Sequence, residues 1–208
     1  MWRAPYIRSI KATHIFDIGA NTGEFALIAR AAFPKAKIFS FEPLEKEFRT
    51  LNKVMQKDPM FQSFQIALGE SVGTAIMYVS EFSPSSSFVF KSANSTPHSM
   101  EIKTLDHYEH LIQFSDTVII KMDVEGYELS ILKGAEKVLA KCDWLYIECR
   151  IGNGEGAAFA DIYSLMISKG WVYEGAYDSA FSKDGQLMYF DAFFRNTGKR
   201  NIQVDGNE

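Results

Sequence analysis

The stretch Asp17-Ile18-Gly19-Ala20-Asn21-Thr22-Gly23 joins a short apolar run, His14-Ile15-Phe16-Asp17-Ile18, to a helix-period segment. That segment runs from about Glu24 to Phe33 and is ended by Pro34. A strand that turns this tightly into a helix needs residues that tolerate positive φ or close backbone approach. Gly19 and Gly23 do so because they lack Cβ, and Asn21 is among the more tolerant alternatives. The N–H groups of the loop and helix start then face a ligand. Asp17, at the strand end, is placed to accept hydrogen bonds from an amine or to order the loop.

The rest of the chain continues the alternation of strand and helix. Lys37–Phe41 reads as a second strand, Glu45–Gln56 as a helix with Phe48, Leu51, Val54 and Met55 on one face, and Phe61–Leu68 as a third strand. Gly73–Ser80 reads as an extra strand, and the Ser-rich segment 82–99 as a flexible loop or hairpin. The βα rhythm returns with Val118–Met122 and a helix from Tyr127 to about Ala140. It goes on through a buried strand at Asp143–Glu148 and a helix at Phe159–Ser168 that stops at Gly170. Trp171–Ala176 and Met188–Phe194 read as a closing antiparallel pair. The expected fold is α/β and Rossmann-like, a mainly parallel sheet with helices on both faces. One domain over 14–195 is expected, with an extension at 1–13 and a frayed polar tail at 196–208.

Composition narrows the function classes. The 208 residues suit one domain, and a net charge of −4 with scattered Lys and Arg argues against a nucleic-acid footprint. No apolar run approaches the ~20 residues of a membrane helix, and the N-terminus lacks the apolar core of a signal peptide. Cys142 and Cys149 flank a strand and read as reduced thiols of a cytoplasmic protein; no metal-ligand spacing is present.

The loop is not the dinucleotide fingerprint, because Asn21 stands where the second glycine would admit a pyrophosphate. A ligand without pyrophosphate fits better. Glu42 ends the second strand nineteen residues after Gly23, where a carboxylate accepts ribose hydroxyls. Ala67-Leu68-Gly69-Glu70 offers backbone groups and an apolar wall to an adenine, or is a plain strand-to-turn transition. At the fourth main strand's end lies Lys121-Met122-Asp123-Val124-Glu125-Gly126-Tyr127-Glu128. The helix dipole accounts for acids such as Glu125 and Glu128, but Asp123 is less easily read as a cap because Gly126 intervenes.

Together these pieces resemble the FkbM family of methyltransferases. The resemblance rests on Asp17–Gly23, Phe41-Glu42-Pro43, Ala67-Leu68-Gly69, Thr104-Leu105-Asp106, Ile120–Glu128 and Leu132-Lys133-Gly134-Ala135. It implies a class I methyltransferase fold, S-adenosyl-L-methionine as donor, and usually O-methylation of small molecules or sugars. By this match Asp17, Gly19, Asn21 and Gly23 line the methionine part of the cofactor and Glu42 takes the ribose. Asp123 and Glu125 lie near the transferred methyl. Asp123 is the first candidate base, with His98 and His107 behind it. The expected acceptor is a small molecule or glycan. Two alternatives stand beside this reading: a nicotinamide-dependent reductase, which Asn21 opposes, and a methyltransferase-like binding module without turnover.

Overall fold

The computed structural model describes residues 7, 9–80, 86–89, 95–151 and 158–199. A seven-stranded sheet runs through it in the order β3-β2-β1-β7-β8-β10-β9. Its strands are β1 (His14–Ile18), β2 (Lys37–Phe41), β3 (Phe61–Phe64), β7 (Val118–Met122), β8 (Trp144–Arg150), β9 (Trp171–Phe181) and β10 (Leu187–Asn196). The first five are mutually parallel, and β10 runs antiparallel to both β8 and β9. The chain thus starts in the middle of the sheet, works outward to β3, and resumes on the other side of β1 at β7. Where strand order reverses, the connections part and leave a crevice at the carboxyl ends, here between β1 and β7.

The central strands are short and apolar because both faces are covered. On one face Ile15, Ile38, Ile119 and Phe193 pack with Phe25, Ala26 and Ala29 of α1 (Glu24–Ala32) and Leu51 and Met55 of α2 (Glu45–Met55). On the other, Phe16, Ile18, Ile120 and Ile147 pack under α3 (Glu128–Lys133), α4 (Glu136–Lys141) and α5 (Phe159–Ser168). A 3-10 helix, Leu105–Leu111, adds Leu105 and Tyr108 to that layer.

Several expected boundaries move, each for a tertiary reason. The third strand ends at Phe64. Ala67–Leu68 forms β4, which pairs with β6 (Thr96–Lys103) in a separate sheet, and β6 also pairs antiparallel with β5 (Gly73–Val79). Thr96–Ser99 of the expected loop therefore lie in a strand, while residues 81–85 and 90–94 fall outside the described residues. The single helix expected from Tyr127 to Ala140 is two, interrupted at Gly134-Ala135. A Cβ on Gly134 would stand 2.2 Å from the Gly69 carbonyl oxygen, so the chain passes too close there for an ordinary residue. Asp106 caps the second piece, its carboxylate accepting from the Lys137 and Val138 amides; Thr104-Leu105-Asp106 therefore has a structural use. Val54 is exposed rather than on the core face of α2.

The tail begins firmly. Asn196 donates to the carbonyls of Leu139 and Cys142, and the buried Lys199 ammonium reaches the Asp143 carboxylate at 2.6 Å. Residues 200–208 lie outside the described residues. Cys142 and Cys149 are free, buried thiols.

Candidate active site

One cavity of about 380 Å³ opens across the carboxyl ends of β1, β2 and β7. Gly19, Asn21, Glu42, Ala67, Leu68, Asp123 and Glu125 all line it, residues that lie more than a hundred positions apart at the extremes. Asp17 and Gly23 lie behind it.

The loop after β1 is fixed from two sides. Gly19 and Ala20 donate their amides to the Phe41 carbonyl, and Gly19 sits at φ +74°. A Cβ there would fall 1.8 Å from the backbone oxygen of Asp123, so only glycine lets the two strand ends touch. Asn21, at φ +46°, also takes up the left-handed backbone. Its amide donates to Glu42 Oε2 at 2.8 Å, and the Leu44 amide donates to Oε1 at 2.9 Å. The Glu42 carboxylate is thereby aimed before any ligand arrives, and each oxygen retains acceptor capacity. Only 5% exposed, it is pushed up to about 7 by burial, against the pull of those two amides.

Asp17 is fully buried. Ser40 donates to its Oδ2 at 3.1 Å and the Lys121 ammonium lies 3.5 Å from its Oδ1, an oxygen with no hydrogen bond. Burial raises its pKa, and Lys121 and Ser40 oppose the shift. It is absent from the cavity wall and is linked to Gly19 through the Lys121 ammonium, which also donates to the Gly19 carbonyl.

The β7 side of the cavity is acidic. Asp123 has a side chain 37% exposed and Lys121 at 3.7 Å. Glu125 adopts φ +54°, a conformation that a glutamate takes only where its surroundings impose it. The imposing group is Glu128, whose buried carboxylate accepts from the amides of Val124 and Gly126 and so clasps the loop. Glu128 thus acts as a loop clasp ahead of any helix-dipole effect. Arg150, at the end of β8, pairs with Glu125 at 2.5 Å and with Glu148 at 3.8 Å.

Asp123, Glu125 and Glu148 bring one oxygen each within 4.8 Å of one another, close enough to hold a common cation. Burial, then Asp123, pushes Glu125 up to about 7, with Arg150 opposing. Burial, then Asp123 and Glu125, pushes Glu148 up to about 8. Asp191, opposite Glu148 in the β8–β10 register, is pushed up to about 6 by burial, and the hydroxyl of Tyr146 lies 2.8 Å from it. His98 and His107 are exposed, and neither lines the cavity.

The sequence reading missed Lys121, Glu148, Arg150 and Asp191. The available signal was a charge embedded in an apolar strand, as in Val118-Ile119-Ile120-Lys121-Met122 and Phe190-Asp191-Ala192-Phe193.

The residues present fit a nucleoside with a charged tail. Glu42 faces a diol. Pro43 and Leu44 on one side and Ile66, Ala67 and Leu68 on the other form apolar walls for a flat ring. Part of the Ser-rich segment joins the wall: Ser86 and Phe88 line the cavity. Phe88 packs on Tyr127 with ring centroids 4.9 Å apart, and the Ser87 hydroxyl donates to the Glu125 carbonyl at 2.7 Å.

A doubly wound sheet closed by an antiparallel strand pair, with this loop and this acid, is the class I methyltransferase fold. The chain belongs to the FkbM methyltransferase family, whose domain model, the Methyltransferase FkbM domain, matches residues 17–174. The methyl donor of that family is S-adenosylmethionine. The chain is 29% identical over 142 residues to hexuronic acid methyltransferase AglP of Haloferax volcanii, a match that covers 66% of this chain and 56% of that protein. It therefore spans little more than half the length of that relative. It is 26% identical over 181 residues to Methyltransferase 1 of Beauveria bassiana, covering 76% of this chain and 72% of that one. Among solved structures, M. capricolum TrmK in complex with S-adenosylhomocysteine superposes with a TM-score of 0.52 at 12% identity, covering 95% of this chain and 69% of that one. Precorrin-6y C5,15-methyltransferase from Geobacter metallireducens superposes with a TM-score of 0.51 at 9% identity, covering 91% and 83%. At such identities the two superpositions show the fold.

Proposed function

We propose that the chain transfers a methyl group from S-adenosylmethionine to a hydroxyl of a small molecule or sugar-containing metabolite. Asp123 serves as base or orienting group and Glu125 lies beside it. The carrying observation is that one cavity is lined by Glu42, held by two amides at the end of β2 on one side of β1, and by Asp123 at the end of β7 on the other. The bound donor supplies an electrophilic methyl on a sulfonium. What the chain must do is align an acceptor oxygen with it and take up the hydroxyl proton. Asp123 is suited to this because its carboxylate is part-exposed at the cavity and no histidine lines the cavity among the described residues. Gly19, Asn21 and Glu42 hold the donor, with Ala67 and Leu68 as the wall for its ring; Asp17 and Gly23 support the loop from behind. AglP, which carries hexuronic acid in its name, supports a sugar-like acceptor.

Incubation of the protein with S-adenosylmethionine and a panel of hexuronides, neutral glycosides, phenols and amines tests this reading. It expects S-adenosylhomocysteine release with hydroxyl acceptors and a methyl ether as product. Release with amines alone would overturn it.

A further inference from the structure

Lys121 lies in β7 between Ile120 and Met122, in a strand buried along its whole length. A charge there is costly unless every donor is met. Its ammonium donates to the Gly19 carbonyl at 3.0 Å, lies 3.5 Å from Asp17 and 3.7 Å from Asp123, and sits over the Phe25 ring at 5.6 Å from its centroid. One donor is met by the Gly19 carbonyl, and two carboxylates flank the charge as ion-pair partners. These partners belong to two separate pieces of the site: Asp17 and Gly19 to the end of β1 and the loop that follows it, Asp123 to the loop after β7. Those loops touch besides, since the Asp123 amide donates to the Ile18 carbonyl and the Asp123 backbone fills the space of a Gly19 Cβ. Burial works against the charge of Lys121, but Asp123 and Asp17 outweigh it and lift its pKa above the ordinary value. An ammonium held in this way does not serve as a base.

We propose that Lys121 is the positioning residue of this site, one buried cation that sets the cofactor loop and the acceptor-side acid Asp123 in register with each other. The inference rests on the reading of Asp123 given above. It extends that reading to a residue that touches neither reacting atom, and it explains why a lysine is kept within an apolar strand.

The test compares Lys121→Met, Lys121→Gln and Lys121→Arg by amide hydrogen exchange without cofactor and by calorimetry with S-adenosylhomocysteine. Loss of the tie should speed exchange about tenfold at 19–21 and at 123–126 together in Lys121→Met, with β2 amides unchanged. Affinity for S-adenosylhomocysteine should fall about tenfold. Lys121→Arg, which keeps the charge and several donors, should recover most of both. Asp123→Asn should leave 19–21 protected, because the bond to Gly19 survives. If Lys121→Met does not fold, Lys121→Gln takes its place: its amide can hold the Gly19 carbonyl, so exchange should rise at 123–126 more than at 19–21. Even acceleration across β1, β7 and β8, no change at either loop, or failure of both variants to fold would assign Lys121 to the fold alone and overturn the proposal. Wild-type protein that does not bind S-adenosylhomocysteine would instead sink the cofactor reading, which exchange measured without cofactor does not depend on.

Discussion

The amide of Asn21 donates to Glu42 Oε2 at 2.8 Å, so the loop that would carry the donor's tail also aims the acid that would hold its ribose. Two parts of one ligand site are coupled through a single hydrogen bond. Glu42→Ala removes both the acceptor for ribose hydroxyls and this tie. A lost pair of charge-assisted hydrogen bonds costs ~1.5–3 kcal/mol, so S-adenosylhomocysteine affinity should fall by one to two orders of magnitude. Calorimetry on a variant with an unchanged circular dichroism spectrum checks this, and an unaltered dissociation constant would remove Glu42 from the site.

The same carboxyl makes the free protein pH-sensitive. Glu42 is pushed up to about 7 from an ordinary 4.5, so the folded state holds its proton more tightly than the unfolded chain does. For an acid shifted upward, the stabilising contribution is complete below pH 4.5, is lost as pH rises to about 7, and is flat above. Relative to Glu42→Gln, the wild type should lose on the order of 3 kcal/mol across that window. Glu125, Glu148 and Asp191 act with the same sign but are present in both proteins and cancel. Urea unfolding of the two proteins at pH 5, 6, 7 and 8 measures the difference. Parallel curves would show that Glu42 titrates as an ordinary glutamate.

Gly19 and Gly23 both have positive φ, yet they should differ in tolerance. An added Cβ at Gly19 meets backbone, the Asp123 oxygen at 1.8 Å, whereas at Gly23 it meets the tip of Leu51 at 2.9 Å. A side-chain tip yields and a strand end does not. Gly23→Ala should therefore cost roughly 1–2 kcal/mol, the ordinary penalty for the left-handed region. Gly19→Ala should cost clearly more and abolish cofactor binding. Denaturation midpoints for the two variants provide the comparison, and equal costs would contradict the close approach of the loops.

The strand–loop–helix at Asp17–Gly23 and the spacing to Glu42 were legible because local backbone chemistry dictates them: a tight turn needs its glycines wherever it occurs. The mainly parallel sheet follows from the alternation of apolar runs and helix-period segments. What was not legible depends on packing between distant pieces. Gly134 splits a helix because Gly69 lies against it, and no periodicity in Tyr127–Ala140 records that neighbour. Glu148 and Asp191 become adjacent only through the antiparallel register of β8 and β10. Asp17 looked like a ligand because it ends a strand before the loop, but the hydroxyl of Ser40 and the ammonium of Lys121 enclose it from the neighbouring strands.

Asp123 should matter to turnover more than to cofactor binding. It lines the cavity from the β7 side of β1, with Glu42 on the β2 side, and Asp123→Asn keeps its shape while removing the carboxylate proposed to take up a proton. Loss of a general base lowers kcat by roughly 10²–10⁴-fold, with the loss falling in the transition state. S-adenosylhomocysteine affinity should stay within about threefold, since no ground-state contact to the donor is removed. Steady-state kinetics with an acceptor from the panel decides: full turnover in Asp123→Asn would make the residue structural.

The segment at 86–89 should report ligand binding. Ser86 and Phe88 line the cavity, and several contacts hold the segment: Tyr78 and Ser87 exchange backbone hydrogen bonds, the Ser80 amide donates to the Ser86 hydroxyl, the Ser87 hydroxyl donates to the Glu125 carbonyl, and Phe88 lies on Tyr127. Two of those partners, Glu125 and Tyr127, belong to the loop that carries Asp123. A ligand that orders this loop should therefore order the segment as well, and cofactor with acceptor should raise amide protection at 86–89 more than cofactor alone. Phe88→Ala removes the aromatic contact and opens the cavity wall, which should raise the KM for the acceptor with a smaller change for S-adenosylmethionine. The control is β9, whose outer edge lies away from the cavity and should exchange at the same rate throughout. Equal exchange at 86–89 with and without ligands, together with an unchanged KM in Phe88→Ala, would show that the acceptor is held elsewhere and that this segment only covers the donor.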